Sequence, residues 1–148
     1  MHIRSFGLLF LLSVFLIVWG ADIGAYFAGK LFGKNKLAPQ LSPSKTIEGA
    51  IGGLAAVLLM AALSLIYEIP GIFLTLYELG GLLTLGSLVI ALVALSIMGD
   101  LFESQLKRLA GVKDSSNLLP GHGGILDRID ALMPVLPVTA ILLILLAQ

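Results

Sequence analysis

The chain has 148 residues, 58% of them hydrophobic and 12% charged, with a mean hydropathy of +1.05. A soluble domain of this length cannot hide so much apolar surface, so the composition places the chain in a membrane. Nine basic and nine acidic residues cancel, leaving neither a nucleic-acid-binding tail nor an acidic tail, and the lack of cysteine excludes disulfides and thiolate metal sites.

About 20 apolar residues cross the hydrocarbon core. Residues 5–21 carry no charge, and the apolar pattern resumes after Asp22 as far as Phe32. Residues 49–67 and 79–99 are charge-free spans. The last runs over 131–148 and can begin as early as Ile125, with Pro134 and Pro137 in its first turns, where proline is tolerated best. A signal peptide at residues 5–21 is disfavoured, because three further spans follow. The expected fold is an all-α integral membrane protein of one domain, with about four transmembrane helices plus a short cytoplasmic amphipathic helix that continues from span three through Leu101, Phe102, Leu106 and Leu109.

Lysines and arginines set the orientation. Lys30, Lys34, Lys36 and Lys45 precede span two, and Lys107, Arg108, Lys113 and Arg128 separate spans three and four. The connection between spans two and three holds only Glu68 and Glu78. Both basic segments are therefore expected in the cytoplasm. Arg4 falls on the wrong side, which suggests that Met1 is not the natural start.

A simple anchor needs only bases there, yet seven of the nine acids share this side: Asp22, Glu48, Asp100, Glu103, Asp114, Asp127 and Asp130. Asp22, Glu48 and Asp100 stand at or inside span ends, where an ionisable group is costly and reads first as functional. The plainer reading is snorkelling or pairing with a nearby lysine. Asp100 and Glu103 are three apart, as are Asp127 and Asp130, so each pair shares a helical face. With no cysteine and two histidines, a metal would be held by carboxylates, which suits a hard cation such as Mg²⁺.

Between the pairs, Gly121, His122, Gly123 and Gly124 precede a helix start, where free N–H groups favour phosphate. Lys107, Arg108, Lys113 and Arg128 flank this turn. Ser44, Lys45 and Thr46 at the start of span two resemble the end of a P-loop without its upstream glycines, so a Walker A reading fails. A lysine and two hydroxyls at a helix start still suit phosphate, and equally suit an N-cap with Glu48 as its partner.

At these residues the sequence resembles the phosphatidate cytidylyltransferases, also called CDP-diacylglycerol synthases. The family signature is met by Ser104, Lys107–Arg108, Lys113–Asp114, His122–Gly123–Gly124 and Asp127–Arg128–Ile129–Asp130 at the family's spacing. Two further stretches agree: Trp19-Gly-Ala-Asp22 followed by Gly24-Ala-Tyr and Gly29-Lys-Leu-Phe-Gly, and Leu41-Ser-Pro-Ser-Lys-Thr with Glu48-Gly and Gly52-Gly53. Members usually carry more transmembrane helices upstream, so the chain corresponds to the C-terminal catalytic half.

The resemblance implies transfer of the cytidylyl group of CTP to phosphatidate, giving CDP-diacylglycerol and pyrophosphate, on the cytoplasmic face of a bacterial inner membrane. It implies Asp100, Asp127, Lys107 and Arg108 as catalytic residues and Asp100, Asp127, Asp130 and Asp22 as metal ligands. Ser44, Lys45, Thr46, Lys113, Asp114, His122, Gly123, Gly124 and Arg128 would bind substrate. Mg²⁺ is the expected cofactor, with K⁺ beside it. The expected partners are CTP, phosphatidate and the bilayer, with no nucleic acid. Gly49, Gly52, Gly53, Ala55 and Ala56 suit either a homodimer or packing within the chain. An inactive fragment and a membrane transport module are the competing readings, and an enzyme loading CTP onto an ether lipid is a third.

Overall fold

The computed structural model describes residues 3–112, 115–116 and 124–146, with the backbone alone at 3–6, 128, 143, 145 and 146. The elements in order are α1 (Ile3–Phe32), β1 (Lys36–Ala38), β2 (Ser42–Thr46), α2 (Ile47–Ile66), α3 (Ile72–Leu109), α4 (Leu126–Ile129) and α5 (Leu132–Leu146). Three helices are long and apolar enough to cross a membrane, and α5 is a shorter apolar one. The chain is an integral, mostly helical membrane protein.

Its surface is inverted relative to a soluble protein. Leu8, Leu59, Ile66 and Leu83 are exposed, Leu83 by 85%, because lipid solvates them. The buried core is a seam of Val14, Ile17, Val57, Leu76, Val89, Leu92 and Val135 drawn from α1, α2, α3 and α5. Hydrophobicity does not drive helices together inside lipid, so close packing must. The α1–α2 contact shows how. A Cβ on Gly24 would stand 2.6 Å from the Cβ of Ala56 and 2.9 Å from the carbonyl oxygen of Gly52, and one on Gly53 would meet the Ala21 carbonyl at 2.5 Å. The small residues of α2 are thus used within the chain, against α1.

The helices depart from expectation in two places. The third span begins at Ile72, not near residue 79, and bends where Gly80 (φ −161°, ψ 23°) and Gly81 (φ 69°, ψ −160°) leave helical geometry. Only glycine takes the Gly81 conformation without strain. The amphipathic segment after Asp100 continues α3 without a break, as expected. Pro137 lies inside α5, beyond the first turn where proline is best tolerated. At the opposite end from the charged loops, Ser13 accepts a hydrogen bond from the Ile72 N–H at 2.9 Å and donates to the Phe10 carbonyl at 2.7 Å. That bond satisfies a free amide at the start of α3, where no side chain of α3 itself caps.

The segment before α2 is an antiparallel hairpin, with Lys36 opposite Thr46 and Ala38 opposite Ser42. The all-α expectation missed it. Pro43 is permitted because neither strand has an outer neighbour among the described residues.

Candidate functional site

Lys45 on β2 forms an ion pair with Asp100 on α3, both side chains about a quarter exposed (25% and 29%). This pair joins the two charged segments, so they lie on one side of the helix bundle. Asp22 on α1 lies within electrostatic reach of both. One turn beyond Asp100, the Ser104 hydroxyl stands 3.5 Å from Asp100 Oδ1.

The hairpin that carries Lys45 is fixed at its base. Thr46 is buried and caps α2 by accepting the Gly49 N–H at 3.0 Å. Glu48 does not complete a capping box. Its carboxylate instead accepts the Asn35 backbone N–H at 3.2 Å to each oxygen and the Asn35 side-chain amide at 2.7 Å. The Ile47 N–H donates to the Asn35 carbonyl at 3.0 Å. Asn35 was not visible as a site residue in the sequence, because its role depends on a chain reversal ahead of a hairpin.

A second cluster joins α3 to α4. Lys107 pairs with Glu103 at 3.0 Å and with Asp127 at 2.6 Å. Asp127 also accepts the Ser115 backbone N–H at 3.0 Å, the Ser115 hydroxyl at 2.8 Å and the Gly124 N–H at 2.6 Å. Burial works against its charge, but Lys107 and these donors outweigh burial and hold the carboxyl well below the usual carboxylate range. Gly124 is required there, since a Cβ would run into the backbone N of Ser116 at 2.8 Å. Ser115 was also missed; nothing in its local sequence marks it.

Asp130 behaves in the opposite way. Burial first, then the nearby charge of Asp100 and contact with Glu103, pushes its carboxyl up to about 7. Oε1 of Glu103 is buried without a hydrogen-bond partner among the described residues.

Two cavities meet at Ser44. One, of about 330 Å³, is walled by Ala21, Ala25, Gly53, Val93 and Ile97, with Asp22, Lys30, Lys45 and Thr46 also on its lining. The other, of about 350 Å³, is lined by the Leu41–Ser44 stretch together with Ser104, Lys107 and Arg108. Of the residues expected from sequence, the structure therefore gathers Asp22, Ser44, Lys45, Thr46, Lys107 and Arg108 on the lining of these cavities, with Asp100 paired to Lys45. Gly124, Asp127 and Asp130 close the neighbouring cluster. Lys113, Asp114, His122, Gly123 and the side chain of Arg128 lie outside the described residues. Among the described residues, no three acidic or histidine side chains converge as a ready-made metal site.

The chain is 50% identical to a phosphatidate cytidylyltransferase of Haemophilus influenzae over 136 residues, covering 92% of this chain and 46% of that protein. It is 53% identical to the phosphatidate cytidylyltransferase of Pseudomonas aeruginosa over 133 residues (90% and 46%) and 50% identical to that of Staphylococcus haemolyticus over 144 residues (95% and 51%). The chain thus spans about half the length of the curated relatives it matches. The fold matches the solved structure of an intramembrane enzyme for archaeal membrane lipid biosynthesis, with a TM-score of 0.53 and 22% identity over 86% of this chain and 76% of that one. The cytidylyltransferase family model matches residues 1–146, and with the relatives at half identity this places the chain in the cytidylyltransferase family.

Proposed function

We propose that the chain carries the catalytic half of a phosphatidate cytidylyltransferase. A phosphatidate phosphate oxygen attacks the α-phosphorus of CTP, the bond from that phosphorus to the bridging oxygen breaks, and pyrophosphate leaves. The carrying observation is that Ser44 stands between an apolar cavity among the helices, which Lys45 also lines, and a polar cavity with Lys107 and Arg108. A lipid and a charged nucleotide need this pairing of environments. The nucleophile is already anionic, so no serine or cysteine need be activated. Lys45, Lys107 and Arg108 supply positive charge, and the ion pair with Asp100 and the hairpin base hold Lys45 in place, which is catalysis by positioning and charge neutralisation. Lys45 comes from β2 and Arg108 from the last turn of α3, so the site forms only when the hairpin packs against the end of α3.

An excess of carboxylates supports a divalent cation here, although no three of them converge among the described residues. Asp22, Asp100, Glu103 and Asp130 outnumber the two lysines, Lys45 and Lys107, that pair within this group. The unpartnered Glu103 oxygen marks the same excess of acceptors. Asp100 and Asp130, with Asp22, would hold Mg²⁺, and Asp127 would join them if Lys107 moved aside. Mg²⁺ bound there supplies neutralisation of the triphosphate. K⁺ beside it belongs to the same proposal. The basic segments support a site on the cytoplasmic face of a bacterial inner membrane.

The test is a purified-chain assay with CTP, phosphatidate and Mg²⁺. CDP-diacylglycerol should form, and Lys45→Met and Asp100→Asn should each lower turnover by about 100-fold or more while membrane insertion persists. Turnover close to the parent in both variants overturns the assignment.

A further inference from the structure

One face of α1 carries Asp22, Tyr26 and Lys30 at successive turns, and all three line the 330 Å³ cavity. At 1.5 Å per residue, Asp22 and Lys30 are separated by about 12 Å along the helix. The cavity therefore has an acidic end and a basic end. Across it, Lys45 is already neutralised by Asp100. Lys30 has no carboxylate partner among the described residues, and its ammonium stands 5.8 Å from the centre of the Tyr26 ring.

A lysine in the last turn of a helix is favoured by the helix dipole and snorkels readily. That explains a lysine at this height, not one on the face that lines the cavity. The neighbours on the other faces, Phe27, Leu31 and Phe32, are large, apolar and 58–71% exposed, as suits contact with lipid. Deeper in, Val93 and Ile97 make the far wall apolar, and Asp22 repels a second anionic group. A single phosphate attached to an apolar body fits this gradient.

We infer that Lys30 and Tyr26 form a lateral mouth that takes the phosphate of an anionic phospholipid from the bilayer into this cavity. The naming of phosphatidate rests on the proposed cytidylyltransferase reading; the mouth itself does not. A phosphate group on a lipid and one on a soluble nucleotide share the chemistry that Lys30 recognises, so the test separates them.

The purified chain in phosphatidylcholine nanodiscs is titrated separately with phosphatidate and with CTP, and bound ligand is measured by native mass spectrometry without turnover. Lys30→Gln should weaken phosphatidate binding roughly tenfold, the loss of one hydrogen bond to a charged group. Lys30→Arg should retain binding, Lys34→Gln should leave it unchanged, and CTP binding should hold in all three. Unchanged phosphatidate binding in Lys30→Gln, an equal loss in Lys34→Gln, or an equal loss of CTP binding each overturns the inference. Because the readout is binding, absence of CDP-lipid formation would sink the proposed activity and leave this result to stand or fall alone.

Discussion

Asn35 grips the Glu48 carboxylate from two directions, with its backbone N–H at 3.2 Å from both oxygens and its side-chain amide at 2.7 Å from Oε1. Together with the Ile47 N–H to Asn35 carbonyl bond, this ties the entrance of the hairpin to the first turn of α2. Lys45 sits on the strand between those anchors.

Asn35→Ala should therefore lower turnover by roughly 10- to 100-fold, the cost of misplacing a positioned group, without expelling the chain from the membrane. Acylation of the Lys45 amine, followed by mass spectrometry, should speed up as its hold on Asp100 loosens. If neither rate changes, the hairpin keeps its place without Asn35.

Asp127 tests whether a carboxylate with crowded oxygens does its work as a clasp. Asp127→Asn puts an amide where Lys107, Ser115 and Gly124 all donate, and turnover should fall by about 100-fold or more. Ser115→Ala should fall less, and the double variant should fall no further than Asp127→Asn, as for residues that act as a unit. Additive losses would separate Ser115 from the clasp. The lowered Asp127 pKa also predicts a pH effect. A depressed carboxyl stabilises the fold fully above about pH 4, where the unfolded group is ionised, and that contribution is lost as pH falls further toward the folded pKa. Thermal unfolding between pH 5 and pH 3 should drop more steeply for the parent than for Asp127→Asn.

Asp130 has the opposite sign. Its folded pKa of about 7 lies above the unfolded value of about 4, so the folded chain keeps a proton that the unfolded chain releases. Stability should fall as pH rises from about 4 to 7 and level off above that. Asp130→Asn should flatten this slope, which thermal scans across that range will read. A divalent cation that displaces the same proton should bind better as pH rises past 7, and Mg²⁺ titrations at pH 6 and 8 would show it.

The α1–α2 contact leaves no room for side chains. Gly24→Val or Gly53→Val should destabilise the folded chain by about 2 kcal/mol or more, because the clash is with backbone and cannot be relieved by a rotamer change. Reversible unfolding in detergent measures this. Gly86→Ala, with open space around it, should be nearly neutral.

Much of this was legible beforehand, for physical reasons. Uninterrupted apolar runs announce membrane helices, and the leucine and phenylalanine pattern after Asp100 gave the extension of α3. The motif spacing from Ser104 to Asp130 pointed to the cluster around Lys107 and Asp127. The hairpin was hidden because Ser42, Pro43 and Ser44 look like a loop, and strand pairing there depends on contacts that local propensity does not register. Asn35 and Ser115 escaped because they act on backbone geometry across a turn. The Gly80–Gly81 pair was in plain view but drowned in apolar sequence. The glycines of α2 marked a close approach without saying whether α1 or another copy makes it.

From the bend at Gly81 onward, residues 82–109 of α3 measure about 42 Å, against a hydrocarbon core of about 30 Å. The helix is therefore a gauge that protrudes from the bilayer. Val93, Ile97, Asp100, Ser104, Lys107 and Arg108 are marks on one rod, so the height difference between the greasy compartment and the wet one is set by helical rise and is indifferent to loop length. A single residue inserted between Asp100 and Ser104 would turn every later mark by about 100°. The two compartments would then face different directions, although no residue of either had been replaced.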